Sequence, residues 1–344
     1  MDKKTRNYEK KRRRKIFLSI LMILFVGIIL TASTYAWFTA NQTVTVNTID
    51  VNVAAQNGLL ISTDADAWKT VITNEDIINT TTSASSKYST NENMIPFGAG
   101  SQITPVSTVG EIGDAGKLAF FAGTLSNNAT TDALELTASA VTEAKGTTGS
   151  MVAFDLFFKV TEESQVYLTT ASNVISADQD DRGLKNAARV GWLREGNGDL
   201  NQSLATWQGY HATSTTDGTA NPANNLLIWE PNSETHTPAG TDNARNYGIT
   251  DTTPSSLAYV GVKAPISTAV PVGSQDTNYF GSVKGLFTTT NAAGVPAGTR
   301  WFKLAPGVTK VRFYLWIEGQ DVDCENAASG ASISYNMQFS LLST

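Results

Sequence analysis

The densest group of potential ligands in this 344-residue chain is Glu318–Asn326, EGQDVDCEN, where Asp321, Asp323 and Glu325 alternate and Asn326 adds a side-chain carbonyl. Oxygen ligands at alternate loop positions can surround a calcium ion. Asp321, Asp323, Glu325 and Asn326 are therefore the candidate Ca²⁺ ligands. The twelve-residue EF-hand spacing is absent, and a solvated acidic turn accounts for the same residues. Asp178, Asp180 and Asp181 form a second acidic group. The two histidines, His211 and His236, lie 25 residues apart without HExxH or CxxC spacing, which argues against zinc. The single cysteine, Cys324, sits beside acids that oppose thiolate formation, and one thiol cannot form an internal disulfide. No GxSxG elbow is present. Nothing singles out two carboxylates as a glycosidase pair. No catalytic residue is expected, and the chain reads as a non-enzyme. Among seven tryptophans, Trp316 has outward strand parity if Val311 faces inward, which makes it the candidate for stacking on a sugar. Packing under a loop or a second sheet is the competing role for such a residue.

The elements that would position these residues begin with a leader. Lys3–Lys15 is basic, Ile16–Leu30 is fifteen residues without a charge, and Thr34-Tyr35-Ala36 is a small-x-small site. This is the pattern of a secretory signal, cut between Ala36 and Trp37. A retained membrane helix over Ile16–Ala36 is the alternative, because about 20 apolar residues span a bilayer. Both readings place the body outside the cytoplasm, as a secreted or cell-surface protein. Residues 1–15 carry nine Lys and Arg against two Asp and Glu, so removing them shifts the formal net charge from −6 to −13. An acidic body does not suit nucleic acid.

The body is rich in Thr, Asn, Ser, Ala and Gly, which favours strands joined by polar turns. Val44 and Val46 share one strand face, while Ile49, Val51 and Val53 have the other parity, so a bulge or bend near Asn47-Thr48 is expected. Residues 73–94 are polar and read as a loop. Strands are predicted at 58–62, 117–125, 134–141, 152–160, 165–169 and 188–193, with a hairpin joining 152–160 to 165–169. Residues 195–298 are rich in Gly, Asn, Thr and Pro, with brief apolar islands such as Leu226–Trp229, and read as a loop-rich insertion or loose lobe. Val311–Ile317 and Ile333–Leu341 alternate cleanly and are expected to be adjacent strands of an antiparallel sandwich. The fold expected is all-β, a jelly-roll-like antiparallel sandwich of eight to ten strands. Its parts are the leader 1–36, an N-terminal strand segment 37–57, sandwich residues 58–194, the insertion 195–298 and closing strands 299–344.

The leader and its junction, Thr34-Tyr35-Ala36-Trp37-Phe38-Thr39, resemble those of the TasA/camelysin group of Gram-positive bacteria. The resemblance covers the leader well and the body by class. It implies a dedicated signal peptidase, a jelly-roll sandwich, and extracellular matrix fibres in which each subunit donates its N-terminal strand to the next. Carried onto this chain, the donor strand holds Val44, Val46, Ile49, Val51 and Val53. A free terminal strand can add to a neighbour's sheet edge, and a repeated head-to-tail contact makes an open filament. The plainer alternative makes the same segment the first strand of its own sandwich. The expected partner is a second copy of the chain. A membrane-anchored adhesion or carbohydrate-binding module, facing cell-wall or matrix polysaccharide, is the second function considered. No cofactor is expected beyond the Ca²⁺ suggested above.

Overall fold

The structure is a computed structural model that describes residues 49–82, 88, 90–94, 103–113, 116–131, 134–143, 149–176, 183–212, 226–232, 238, 260–271, 276–287, 302–324 and 332–341. The leader, Ala36, Trp37, Val44 and Val46 lie outside them. Among the described residues no helix is long and apolar enough to cross a membrane.

The chain is all-β, as the alternation of its strands predicts. In order the strands are β1 (Ile49–Gln56), β2 (Leu60–Ser62), β3 (Val71–Ile72), β4 (Phe120–Asn127), β5 (Leu134–Val141), β6 (Met151–Val160), β7 (Ser164–Leu168), β8 (Asn173–Ser176) and β9 (Ala188–Gly198). They continue with β10 (Leu226–Trp229), β11 (Val260–Val262), β12 (Ile266–Pro271), β13 (Phe280–Ser282), β14 (Leu286–Phe287), β15 (Phe302–Leu304), β16 (Gly307–Ile317) and β17 (Ile333–Leu341). Among the described residues lie the helices α1 (Asn74–Thr82) and α2 (Leu204–Gln208).

Two six-stranded sheets enclose the main core. One runs β15-β7-β17-β1-β3, with β8 also on β17, and the other β14-β10-β9-β16-β6-β2. Val51, Val53, Val166, Tyr335, Met337 and Phe339 from the first meet Phe154, Phe158, Trp192 and Phe313 from the second in one apolar cluster. Phe313 sits at its centre, stacked on Phe154 at 5.3 Å and edge-on to Phe339 at 6.0 Å. A three-stranded sheet, β12-β5-β4, and the pair β11-β13 build further layers. The start of β16 lies so close to the end of β9 that a Cβ on Gly307, whose φ is +122°, would come within 2.1 Å of the Gly198 carbonyl oxygen. Only glycine fits that approach.

Several expectations change. Strands 152–160 and 165–169 form, but they are not a hairpin: β6 pairs with β16 and β2, whereas β7 pairs with β15 and β17. The turn between them carries the chain from one sheet to the other. β16 and β17 likewise lie in opposite sheets rather than side by side. Alternation records which side chains share a face, and neighbouring strands are chosen by packing that alternation does not encode. The predicted loop at 73–94 contains α1. The Asp76 carboxylate accepts from the Thr73 N–H at 3.0 Å, the back-reaching half of a capping box, and Ile77 is buried beneath the helix. The island Leu226–Trp229 is part of the second sheet, as β10 against β9, and β9 itself runs through the 194/195 boundary.

Replacing Phe313 by alanine removes a ring held by four other aromatic side chains. The expected loss is about 3–5 kcal/mol. Urea denaturation of Phe313→Ala beside the unchanged chain measures it.

Candidate functional site

Among the described residues two places stand out: the seat of β1, and a layer of buried charge on the far side of the second sheet.

β1 lies parallel to β17 along its whole length, from Ile49 opposite Ile333 to Gln56 opposite Ser340. Its other edge pairs with β3 at Val53 and Ala54, and the Ala55 N–H donates to the Thr70 carbonyl at 2.8 Å. Val51 and Val53 point into the core and are fully buried, while Asp50 and Asn52 face solvent. The strand ends in a tight turn. Leu59 N–H donates to the Gln56 carbonyl at 3.2 Å, and Asn57 and Gly58 both have positive φ, 57° and 85°. Asn-Gly is the pair that tolerates two successive left-handed residues. Asn57 Nδ2 donates to Ser340 Oγ at 2.8 Å and ties the turn to the end of β17. Ile49, Val51 and Val53, three of the five candidate donor-strand residues, thus sit in a sheet of their own chain.

The charged layer arises because β16 is buried on both faces. Val311, Phe313, Leu315 and Ile317 fill the main core, and the alternate residues Lys310, Arg312, Tyr314 and Trp316 point the other way. Asp155 on β6 stands directly across from Arg312, and Glu195 on β9 lies beside Lys310. All four of these charged residues are at most 2% exposed. Arg312 Nη1 donates to Asp155 Oδ1 at 2.8 Å, and Arg312 Nη2 to Glu143 Oε2 at 2.5 Å. Lys310 Nζ lies 2.8 Å from Glu195 Oε2 and 3.5 Å from Asp155 Oδ2, and donates to the carbonyls of Gln208 and Tyr210 at 3.1 and 2.9 Å. The Tyr88 hydroxyl donates to Asp155 Oδ2. Tyr314 OH donates to Glu143 Oε1 at 2.7 Å, and Lys117 bridges Glu92 and Glu143 at the rim.

Burial opposes ionisation of both inner carboxyls, with different outcomes. At Asp155 the Lys310 and Arg312 cations outweigh burial and hold the pKa down to about 2. At Glu195 burial prevails; Lys310 offsets it in part, the nearby Asp155 anion reinforces it, and the pKa rises to about 7. His211 Nδ1 lies 4.0 Å from Glu195 Oε1, and burial together with the Lys310 cation pushes its pKa down.

The sequence-derived candidates fall elsewhere, and two change character. Asp321 and Asp323 are buried, not a solvated turn. Asp321 Oδ2 pairs with Arg189, which also holds Glu230 at 2.8 Å, and Asp321 Oδ1 accepts from the Asp323 N–H at 2.8 Å. Glu325 and Asn326 lie outside the described residues, as do Asp178, Asp180, Asp181 and His236. Among the described residues no group of three His, Cys, Asp or Glu is arranged to hold a metal ion. Trp316 is 1% exposed and cannot stack on a sugar. Its outward parity is correct, but a second layer covers that face: Phe120 packs edge-on at 5.2 Å, and the indole N–H donates to Glu318 at 3.1 Å. Cys324 is buried in the main core. The sequence reading missed the Lys310–Asp155–Glu195 cluster. Its one signal is a charge set inside long apolar strands, Asp155 within VAFDLFFKV and Lys310 with Arg312 within VTKVRFYLWI. Comparison with protein-family models, curated proteins and solved structures gives no match to this chain.

Glu195 ionises at about 7 in the folded chain against 4.5 for a free glutamate. Its protonated form therefore favours folding: the contribution is complete below pH 4.5, declines as pH rises, and is gone above about 7. Denaturant unfolding at several pH values is expected to show the unchanged chain losing stability relative to Glu195→Gln across that window. Parallel pH profiles would show that Glu195 does not titrate there.

Proposed function

We propose that this chain is an exported, non-enzymatic structural protein, the subunit of an extracellular or biofilm-matrix fibre on a jelly-roll-like sandwich. Signal peptidase frees the N-terminus after Ala36, and the released segment Trp37–Val53 is donated to the sheet of the next copy. The observation that carries this reading is the seat of β1. β1 makes a complete eight-residue parallel ladder with β17, is bordered by β3 at Val53 and Ala54, and runs on into β2 through the Asn57-Gly58 turn. Such a strand can be supplied by the same chain or by another in the same register. The contacts made are then the same, so the two arrangements differ chiefly in the geometry of the turn and in protein concentration.

Withdrawal of β1 opens both a hydrophobic groove and a hydrogen-bonding edge. The groove is the space now filled by Val51 and Val53, and the edge is the outer side of β17. An exposed strand edge is a template for another chain. Head-to-tail filling of that groove is a heterologous contact, which propagates as a filament when the rotation between copies does not close a ring. The alternative of a carbohydrate-binding module loses Trp316, the aromatic on which it rested, because that side chain is buried.

Negative-stain electron microscopy of residues 37–344 beside residues 58–344 tests the reading. Filaments from the longer chain and none from the shorter are expected. Dispersed particles from both, at high concentration, would sink it. A synthetic peptide of residues 43–56 added to the shorter chain is expected to raise its melting temperature by about 5 °C or more, as a refilled groove should. Calorimetry reads that shift, and an unmoved transition would mean that the slot does not accept a strand from outside.

A further inference from the structure

We propose that Lys310 and Asp155 condense with each other to form an intramolecular amide that links β16 covalently to β6, with Glu195 as the proton relay. This inference is independent of how the chain assembles.

Three features meet at one point. The amine Nζ of Lys310 lies 3.5 Å from Asp155 Oδ2, which brings nucleophile and carboxyl together inside a fixed scaffold. Groups held in this way react as though at very high concentration, equivalent to about 10⁵ M or more for well-oriented pairs. Glu195 Oε2 touches the same Nζ at 2.8 Å, where a base must stand to receive its proton. The other carboxyl oxygen, Asp155 Oδ1, already accepts from Arg312 Nη1 at 2.8 Å. That donor stabilises the negative charge that develops on Oδ1 when Nζ adds to Cγ. The Tyr88 hydroxyl donates to Oδ2, the oxygen that departs.

The step balances without any further reactant. The Nζ–Cγ bond forms and the Cγ–Oδ2 bond breaks. Of the three protons on the ammonium, one stays as the amide N–H and two leave with Oδ2 as water. Glu195 carries one proton from Nζ to Oδ2, which turns the ion pair into an amine and a carboxylic acid. The amine adds to Cγ, a second proton follows the same path, Oδ2 leaves as water, and Glu195 returns to its starting state.

Charge and burial favour the product. Condensation removes one cation and one anion together and leaves Arg312 paired with Glu143 at 2.5 Å. Lys310 and Asp155 are each 1% exposed. Holding an ion pair there carries a desolvation cost that a hydrogen-bonded neutral amide largely avoids. The new carbonyl would keep the Arg312 donor, and the new N–H would face Glu195. The first sheet is not involved, so the link ties two central strands of the second sheet and leaves the seat of β1 free.

Mass spectrometry of the purified full chain tests this directly. A tryptic digest is expected to contain one branched peptide holding Lys310 and Asp155, lighter by one water than its two arms together. It reads the link whether or not the leader has been removed. Glu195→Gln, which keeps the side chain's size, is expected to give the two separate peptides at their full masses. Separate full-mass peptides from the folded, unchanged chain would overturn the proposal. A branched peptide persisting undiminished in Glu195→Gln would overturn the relay assigned to that residue.

Discussion

Strand β16 is buried along its entire length, and this constraint organises the fold. A strand with one wet face can place polar residues there at no cost. β16 has no wet face, so Lys310 and Arg312 must be answered from within the protein. A buried cation is tolerated only beside an anion and with its remaining donors satisfied. Asp155 and Glu195 come from the two strands that flank β16, and Glu143, Tyr88 and the carbonyls of Gln208 and Tyr210 come from the layer above. The polar centre thereby fixes the register of three strands and the position of the segments that cover them.

The second sheet is consequently a slab with different chemistry on its two sides. Toward the main core it presents Phe154, Phe158, Trp192 and Phe313. On the far side an ionic middle is flanked by apolar ends, Trp316 with Phe120 and Val308 with Phe157. The first sheet is built differently. Its β17 is flanked on one side by β7 and β8 and on the other by β1, the strand nearest the N-terminus among those described. The charged layer and the seat of β1 therefore sit on opposite sides of one core. Under the proposed fibre assembly the charged layer would stay in place while a terminal strand changes partners.

Much of the strand set was legible because period-two alternation is a local property. The stretches at 134–141, 152–160, 311–317 and 333–341 each became strands, and in 311–317 the face expected to turn inward, that of Val311, is the one in the main core. Helix α1 was missed although Thr73-Asn74-Glu75-Asp76 carries a capping pattern, because the surrounding Thr and Asn read as loop. Strand partners were not legible, and the supposed hairpin of β6 and β7 spans two sheets instead.

The sequence by itself determined the all-β class, the parity of the core strands, and the leader pattern on which the expectation of export rests. These depend on residue type and spacing along a short stretch of chain. Only the tertiary structure decided that outward on β16 does not mean exposed, that Asp321 answers Arg189, and that Lys310, Asp155 and Glu195 converge. Their meeting depends on which strands lie side by side and on a second layer folding over them. Both follow from contacts between residues far apart in the chain, and no local pattern carries that information.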